Sequence, residues 1–199
     1  MLYTIETRCR ACDGEVETIM AFGEVPLADR LVEPGMDGSR WRAPLSLARC
    51  RKCGLVQLRE TVDPTVLFYS EYPYFSSVSP ALKRHFQGTY HAVCRRKALG
   101  ADSLVVEAAS NDGCLLSHFL ERGIPVLGID PAAAPVRMAL NRGIPTREAF
   151  FGEELAEELA DNGVMADVFI GTNVLAHVAD LMGFLKGVKR ILKPDGLAI

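Results

Sequence analysis

The 199-residue chain lacks any apolar run of the roughly 18 residues that a membrane-spanning helix needs, so no membrane partner is expected. Its first residues, Met1-Leu2-Tyr3-Thr4-Ile5-Glu6, lack a basic segment followed by an apolar stretch, and no secretory leader is expected. It lacks a charge excess. The 22 basic and 25 acidic side chains give a net charge of −3, which offers no pull toward nucleic acid or an anionic membrane. Repeats and low-complexity segments are absent. With 49% apolar and 24% charged residues, disorder and coiled coil are excluded as the organising principle. The expected location is the cytoplasm, where thiols stay reduced. The six cysteines then call for metal, catalysis or packing rather than disulfides.

What is present falls into two rhythms. Residues 1–60 hold two cysteine pairs, frequent Pro and Gly, and short apolar runs such as Leu45–Leu47 and Leu55–Leu58, which read as short strands around turns. Residues 61–101 form a connecting stretch. Asp63-Pro64 opens a short helix, Tyr72-Pro73-Tyr74-Phe75 is an aromatic linker, and Ser79-Pro80 reads as a cap and first turn of a helix to about residue 98. This helix is expected to cover the cofactor site. Residues 102–199 alternate strand and helix. Strands are expected at Leu104–Glu107, Pro125–Asp130, Ile144–Arg147, Asp167–Gly171 and from Gly196. Helices are expected over 115–122, 132–142, 152–162 and 181–192. That alternation predicts an α/β fold with a doubly wound parallel sheet. The chain ends within the fifth strand, so the sheet is expected to be incomplete.

Cys9-Arg10-Ala11-Cys12 and Cys50-Arg51-Lys52-Cys53 have the spacing of a zinc site. A two-residue gap lets both sulfurs of a pair face one ion, and Gly14 and Gly54 permit turns that aim N–H groups at sulfur. Four thiolates leave no open coordination position, so the zinc is expected to be structural. Residues 1–60 carry nine basic and nine acidic side chains, which argues against a nucleic-acid-binding ribbon. Cys94 and Cys114 lack partners at metal spacing and read as packing residues.

The first strand of the alternating region runs into Glu107-Ala108-Ala109-Ser110-Asn111-Asp112-Gly113, the place where such a fold binds its ligand. The dinucleotide signature G-x-G-x-x-G is missing, which disfavours a pyrophosphate. Glu107 and Asp112 would repel phosphate and suit a cationic ligand. Asp130 ends the second strand, where an acid binds the ribose of an adenosine. It is also placed to cap the following helix. An acidic loop with a ribose-binding acid points to S-adenosylmethionine, whose sulfonium and ammonium are both positive.

Together these pieces resemble the zinc-containing, S-adenosylmethionine-dependent sugar C-methyltransferases of deoxysugar and natural-product pathways, over nearly the whole chain. The further matching segments are Pro26-Leu27-Ala28-Asp29-Arg30, Cys53 to Leu58, Tyr72 to Ser77, Gly128-Ile129-Asp130-Pro131, Asn173-Val174-Leu175-Ala176-His177 and Leu192-Lys193-Pro194-Asp195-Gly196. Members are about twice as long and add a C-terminal α/β domain. They tend to have Gly or Cys near Ala109. The resemblance implies a Rossmann-like, class I methyltransferase domain behind a zinc module, and a nucleotide-linked 4-keto-deoxysugar methylated through an enolate. It implies an active-site histidine at His177 and an active-site tyrosine at Tyr74. Asn173 is expected to join Glu107, Ser110, Asn111, Asp112, Gly113 and Asp130 around the cofactor. His85, His91 and His118 are expected on helices in surface or packing roles, and Glu153–Glu158 on a solvated face. Competing readings are a zinc-ribbon interaction protein with an inactive cofactor domain and an O- or N-methyltransferase. The sequence does not fix the oligomeric state.

Overall fold

A computed structural model describes residues 2–199. The chain divides into two compact units, Met1–Tyr69 with Ala179–Met182, and Ser70–Val178 with Gly183–Ile199.

The first unit is built from antiparallel strands β1 (Tyr3–Ile5), β2 (Val16–Pro26), β3 (Arg42–Cys50), β4 (Val56–Leu58) and β5 (Glu60–Val62). Strands β2, β3 and β4 form one sheet in that order, and β1 pairs with β5. The long β2–β3 ribbon exceeds the short strands expected from sequence. Its register slips between Thr18 and Met20 and again between Ala21 and Gly23. Such bulges interrupt the period-two alternation by which strands are read. They leave Ile19, Met20 and Phe22 exposed. Helix α1 (Pro64–Leu67) follows, its start capped by Asp63, whose carboxylate accepts the Thr65 N–H at 2.9 Å. The Arg30 guanidinium lies 3.9 Å from the Trp41 ring centroid and 4.0 Å from that of Tyr69, a cation held between two π faces. Little apolar surface is buried. Cys9, Leu27, Ala43, Ala48 and Cys50 are the buried apolar side chains of this unit among the described residues.

The second unit opens with α2 (Pro80–Arg96), whose cap Ser79 accepts the Leu82 N–H at 3.3 Å. Five parallel strands follow: β6 (Val105–Ala108), β7 (Val126–Asp130), β8 (Thr146–Glu148), β9 (Ala166–Ile170) and β10 (Leu192–Ala198). Between them run α3 (Leu116–Leu120), α4 (Ala133–Asn141), α5 (Glu153–Asp161) and α6 (Leu181–Ile191). The spatial order β10-β9-β6-β7-β8 reverses direction between β6 and β9. Successive β6 residues serve opposite faces, as a strand's period demands. Val105 joins Phe86 and Val93 of α2 and Leu116 and Phe119 of α3 in one apolar layer. Val106 joins Leu155 and Leu159 of α5 and Phe184, Val188 and Ile191 of α6 in the other.

The α/β expectation is met, with shifted ends. The third strand starts at Thr146, since Ile144 is spent packing beneath Gly113, where an added Cβ would lie 2.5 Å from Ile144 Cδ1. The fifth starts at Leu192, four residues early, and is irregular. Leu192 pairs with Ala166, the register slips, and Leu197 pairs with Val168. The Lys193-Pro194 step hid this start. No helix of the described residues is long and apolar enough to cross a membrane.

Candidate functional site

The four thiols Cys9, Cys12, Cys50 and Cys53 converge, all sulfurs within 4.8 Å of one another. Cys9 Sγ is 3.6 Å from Cys53 Sγ, and Cys12 Sγ is 3.6 Å from Cys50 Sγ. A tetrahedron with zinc–sulfur bonds of about 2.3 Å has edges of about 3.8 Å, so this donor set fits zinc. Cys50 Sγ accepts the N–H groups of Cys53 and Lys52, both at 3.4 Å. The Cys53 N–H, then the Lys52 N–H, draw the Cys50 thiol down to about 6, against the push of burial. The Gly14 N–H pulls Cys12 down, but Cys53, burial, Cys50 and Cys9 together push it up to about 12. Thiols this close cannot all ionise without a cation among them.

One turn glycine acts as expected and the other does not. Gly54 is left-handed (φ 78°), but in the first pair that role falls to Asp13 (φ 56°). Gly14 is required for room, since a Cβ there would lie 2.9 Å from Lys52 Cβ and 3.0 Å from Cys50 Sγ.

In the second unit, the carboxyl ends of β6 and β7 gather Glu107, Ser110, Asn111, Asp112, Gly113 and Asp130, all buried. The strand-order reversal beside β6 makes this the crevice where such sheets bind ligands. The connecting loop is left-handed at Ala109 (φ 53°), Asn111 (φ 52°) and Gly113 (φ 73°). A Cβ on Gly128 of β7 would lie 2.5 Å from Ser110 Oγ and 2.8 Å from Thr146 Oγ1, so that glycine makes room for the serine.

Asp130 receives the Asn111 N–H on one oxygen and the Ala132 N–H on the other, each at 2.9 Å. It does not cap α4, whose N-cap is Ala132. Its contact two residues on forms a local turn instead. Burial raises the Asp130 carboxyl, against the two N–H bonds. Burial, then the nearby Asp130 and Asp112, push Glu107 well above the usual carboxylate range. Three buried polar atoms here have no hydrogen-bond partner: Glu107 Oε2, Ser110 Oγ and Asp112 Oδ1. Orphaned acceptors among crowded acids fit a ligand that carries positive charge and hydroxyl donors. S-adenosylmethionine is such a ligand.

Asn111 and Asp112 carry a feature that sequence spacing hides. The Asn111 amide is engaged at both ends by the aromatic linker. Its Oδ1 accepts the Ser76 N–H at 2.8 Å, and its Nδ2 donates to the Tyr74 carbonyl at 3.0 Å. Asp112 Oδ2 accepts the Ser77 N–H at 3.2 Å and lies 3.3 Å from Arg142 Nη1. Arg142 Nη2 in turn donates to Ser77 Oγ at 2.8 Å. The sequence assigns no individual role to Arg142, Ser76 or Ser77, whose partners lie 30 or more residues away in the chain, and no local pattern reports that.

Asn173 (φ 56°) and His177 lie beyond β9, in the stretch leading to α6, and both are exposed. Tyr74 is also exposed. Cys114 is buried within the apolar layer of α3, and Cys94 packs against it. His85 and His91 lie on α2 and His118 on α3. On α5, Glu153 meets Lys186 at 3.1 Å and Glu158 meets Arg147 at 2.7 Å, all on the solvated surface.

Zinc-binding thiols followed by this sheet and loop define a class: S-adenosylmethionine-dependent methyltransferases preceded by a zinc-binding domain. The comparisons agree. Residues 9–68 match a family described as "Putative zinc binding domain", and residues 106–198 match one described as "Methyltransferase domain". The chain thus carries, in this order, a region matching a zinc-binding domain and a region matching a methyltransferase domain. It is similar to C-methyltransferase NovU of Streptomyces niveus, 35% identical over 191 residues, which is 95% of this chain and 45% of that protein. It is also similar to a ubiquinone biosynthesis O-methyltransferase of Azorhizobium caulinodans, 28% identical over 123 residues, 61% of this chain and 47% of that one. The chain thus spans about half the length of the curated relatives it matches. Among solved structures, a sugar N-methyltransferase, KedS8, from Streptoalloteichus matches with a TM-score of 0.44 at 20% identity, over 56% of this chain and 45% of that chain.

Proposed function

We propose that the chain provides the zinc-binding and S-adenosylmethionine-binding parts of a C-methyltransferase acting on a nucleotide-linked 4-keto-deoxysugar. The observation that carries the reading is the set of buried, unpartnered acid and hydroxyl oxygens at the carboxyl ends of β6 and β7. The extent of the match to the C-methyltransferase NovU supports carbon as the methyl acceptor.

When bound, S-adenosylmethionine supplies a methyl group activated by a sulfonium. Asp130 is assigned to its ribose hydroxyls. Glu107, Ser110 and Asp112 face its polar groups with their free oxygens, the Gly113 turn lets the backbone approach closely, and Asn173 borders the same edge. Asn111 shapes the loop through its N–H to Asp130. On the substrate, a ketone acidifies the neighbouring C–H. A base removes that proton, and a donor stabilises the enolate oxygen. His177 is assigned to proton transfer, a task suited to imidazole near neutral pH. Tyr74 is assigned to orienting the sugar or donating to the enolate oxygen. Holding the carbanion in line with the methyl and excluding water complete the task. The four thiolates hold zinc as a structural ion, with no coordination position left open for chemistry.

Calorimetric titration with S-adenosylhomocysteine tests the cofactor site. Asp130→Ala should weaken binding at least tenfold (about 1.4 kcal/mol). A folded chain that binds equally well with and without Asp130 would rule out the ribose assignment.

A further inference from the structure

We infer that Asn111 is a positioning residue that couples the cofactor loop to the Tyr74 segment, with Ser77 and Arg142 closing the same network. The inference deepens the proposed cofactor site and rests on it. The path is continuous and short. Asp130 Oδ2 holds the Asn111 N–H at 2.9 Å. The Asn111 side chain then grips the linker twice, at Tyr74 O and at the Ser76 N–H. One residue therefore links the carboxylate assigned to ribose with the backbone of the tyrosine assigned to the sugar.

The surroundings make the grip directional. Ser76 and Asn111 are both buried, so water does not compete freely for these bonds. Asn111 is left-handed (φ 52°), a conformation that asparagine tolerates better than most residues. That turn lets its N–H serve Asp130 while its amide serves the linker. The neighbouring bonds restrain the next residue in the same way. Ser77 N–H is held by Asp112, which is itself fully buried, and Ser77 Oγ by Arg142. Arg142 Nη1 also donates to the Asp112 carbonyl at 3.2 Å, which ties both strands of the contact together. A ligand that draws on Asp130 changes the charge felt by the Asn111 N–H and favours one loop conformation. The linker has to follow, because its bonds are to that loop. Such a connected set of bonds is a route for coupling, and coupling itself has to be measured.

The test is amide hydrogen exchange over residues 72–77, with and without saturating S-adenosylhomocysteine, in the wild type and in Asn111→Gly. Glycine keeps the left-handed backbone and removes only the grip. In the ligand-free chain, the Ser76 and Ser77 amides should exchange at least tenfold faster in Asn111→Gly. In the wild type, S-adenosylhomocysteine should slow exchange over the segment, and in Asn111→Gly that ligand-dependent slowing should vanish. Ser77→Ala, which removes only the Arg142 contact, should show the same loss to a smaller degree. It serves as the readout if Asn111→Gly does not fold. A wild-type segment that ignores the bound ligand, or an Asn111→Gly segment that responds as the wild type does, overturns the coupling while the cofactor site stands. A folded wild-type chain that gives no binding heat overturns both. A merely structural role for Asn111 would alter exchange equally with and without ligand, which also overturns the proposal.

Discussion

The two units are ordered by different physics. The zinc unit buries only Leu27, Ala43, Ala48 and two of its own cysteines as apolar side chains among the described residues. Its strands are antiparallel, bulged and largely solvated. The methyltransferase unit sandwiches a parallel sheet between two continuous apolar layers. One unit draws its order from four sulfur–metal bonds, the other from area removed from water. A small module with so little core needs such a staple, whereas a doubly covered sheet does not. The lesson is that chemical environment should unfold one unit without the other.

Metal removal is the sharpest way to break that contrast. Structural zinc in small domains contributes about 10–16 kcal/mol of folding free energy. A strong chelator, or Cys50→Ser, should abolish zinc binding and release the β2–β3 amides to exchange. The β6, β7 and β9 amides should keep most of their protection. Loss of protection in both sets together would show that the units fold as one.

A smaller effect is expected in the packed unit. Gly113→Ala forces a side chain into a left-handed turn and against Ile144, 2.5 Å from its Cδ1. The cost should be about 3 kcal/mol, read as a lower denaturant midpoint for the sheet, with zinc content unchanged. An unaltered midpoint would mean that the loop can relax away from Ile144.

The smallest effect has the opposite sign. Burial, with Asp130 and Asp112 nearby, raises the Glu107 carboxyl. The folded chain therefore binds a proton more tightly there than the unfolded chain does. This term favours folding at low pH and is lost as pH rises from the unfolded carboxylate value of about 4.3 toward the folded one. Glu107→Gln should thus raise the melting temperature of the ligand-free chain at neutral pH, by about 2–4 °C per kcal/mol relieved, while weakening S-adenosylhomocysteine. A lower melting temperature would show that the acid is paid for by contacts not seen here.

How much of this was legible beforehand differs between the units for the same physical reason. Buried parallel strands are short apolar runs between helices, and β6, β7 and β9 stood out as such. Strand β2 did not, because bulges at Ile19 and Phe22 break its alternation. The cysteine spacing announced the metal site outright, since its ligands come in local pairs. The acids of the cofactor loop were legible because Glu107 and Asp112 sit in one short segment. What Asn111 and Asp112 grip was not, because Ser76 and Ser77 are 35 residues away. Asp130 ends β7 where the sequence predicts it, but its bond to the Ala132 N–H makes a turn rather than a helix cap.

The Arg30 sandwich has an optical consequence. Trp41 is the sole tryptophan of the chain, and it sits in the zinc unit beneath a guanidinium 3.9 Å from its ring. Its emission therefore samples that unit alone, with a charge against the indole whose departure would shift the spectrum. Excited selectively through its indole, the molecule carries a built-in fluorophore that reports on the metal-held unit, while the tyrosines of the other unit stay silent.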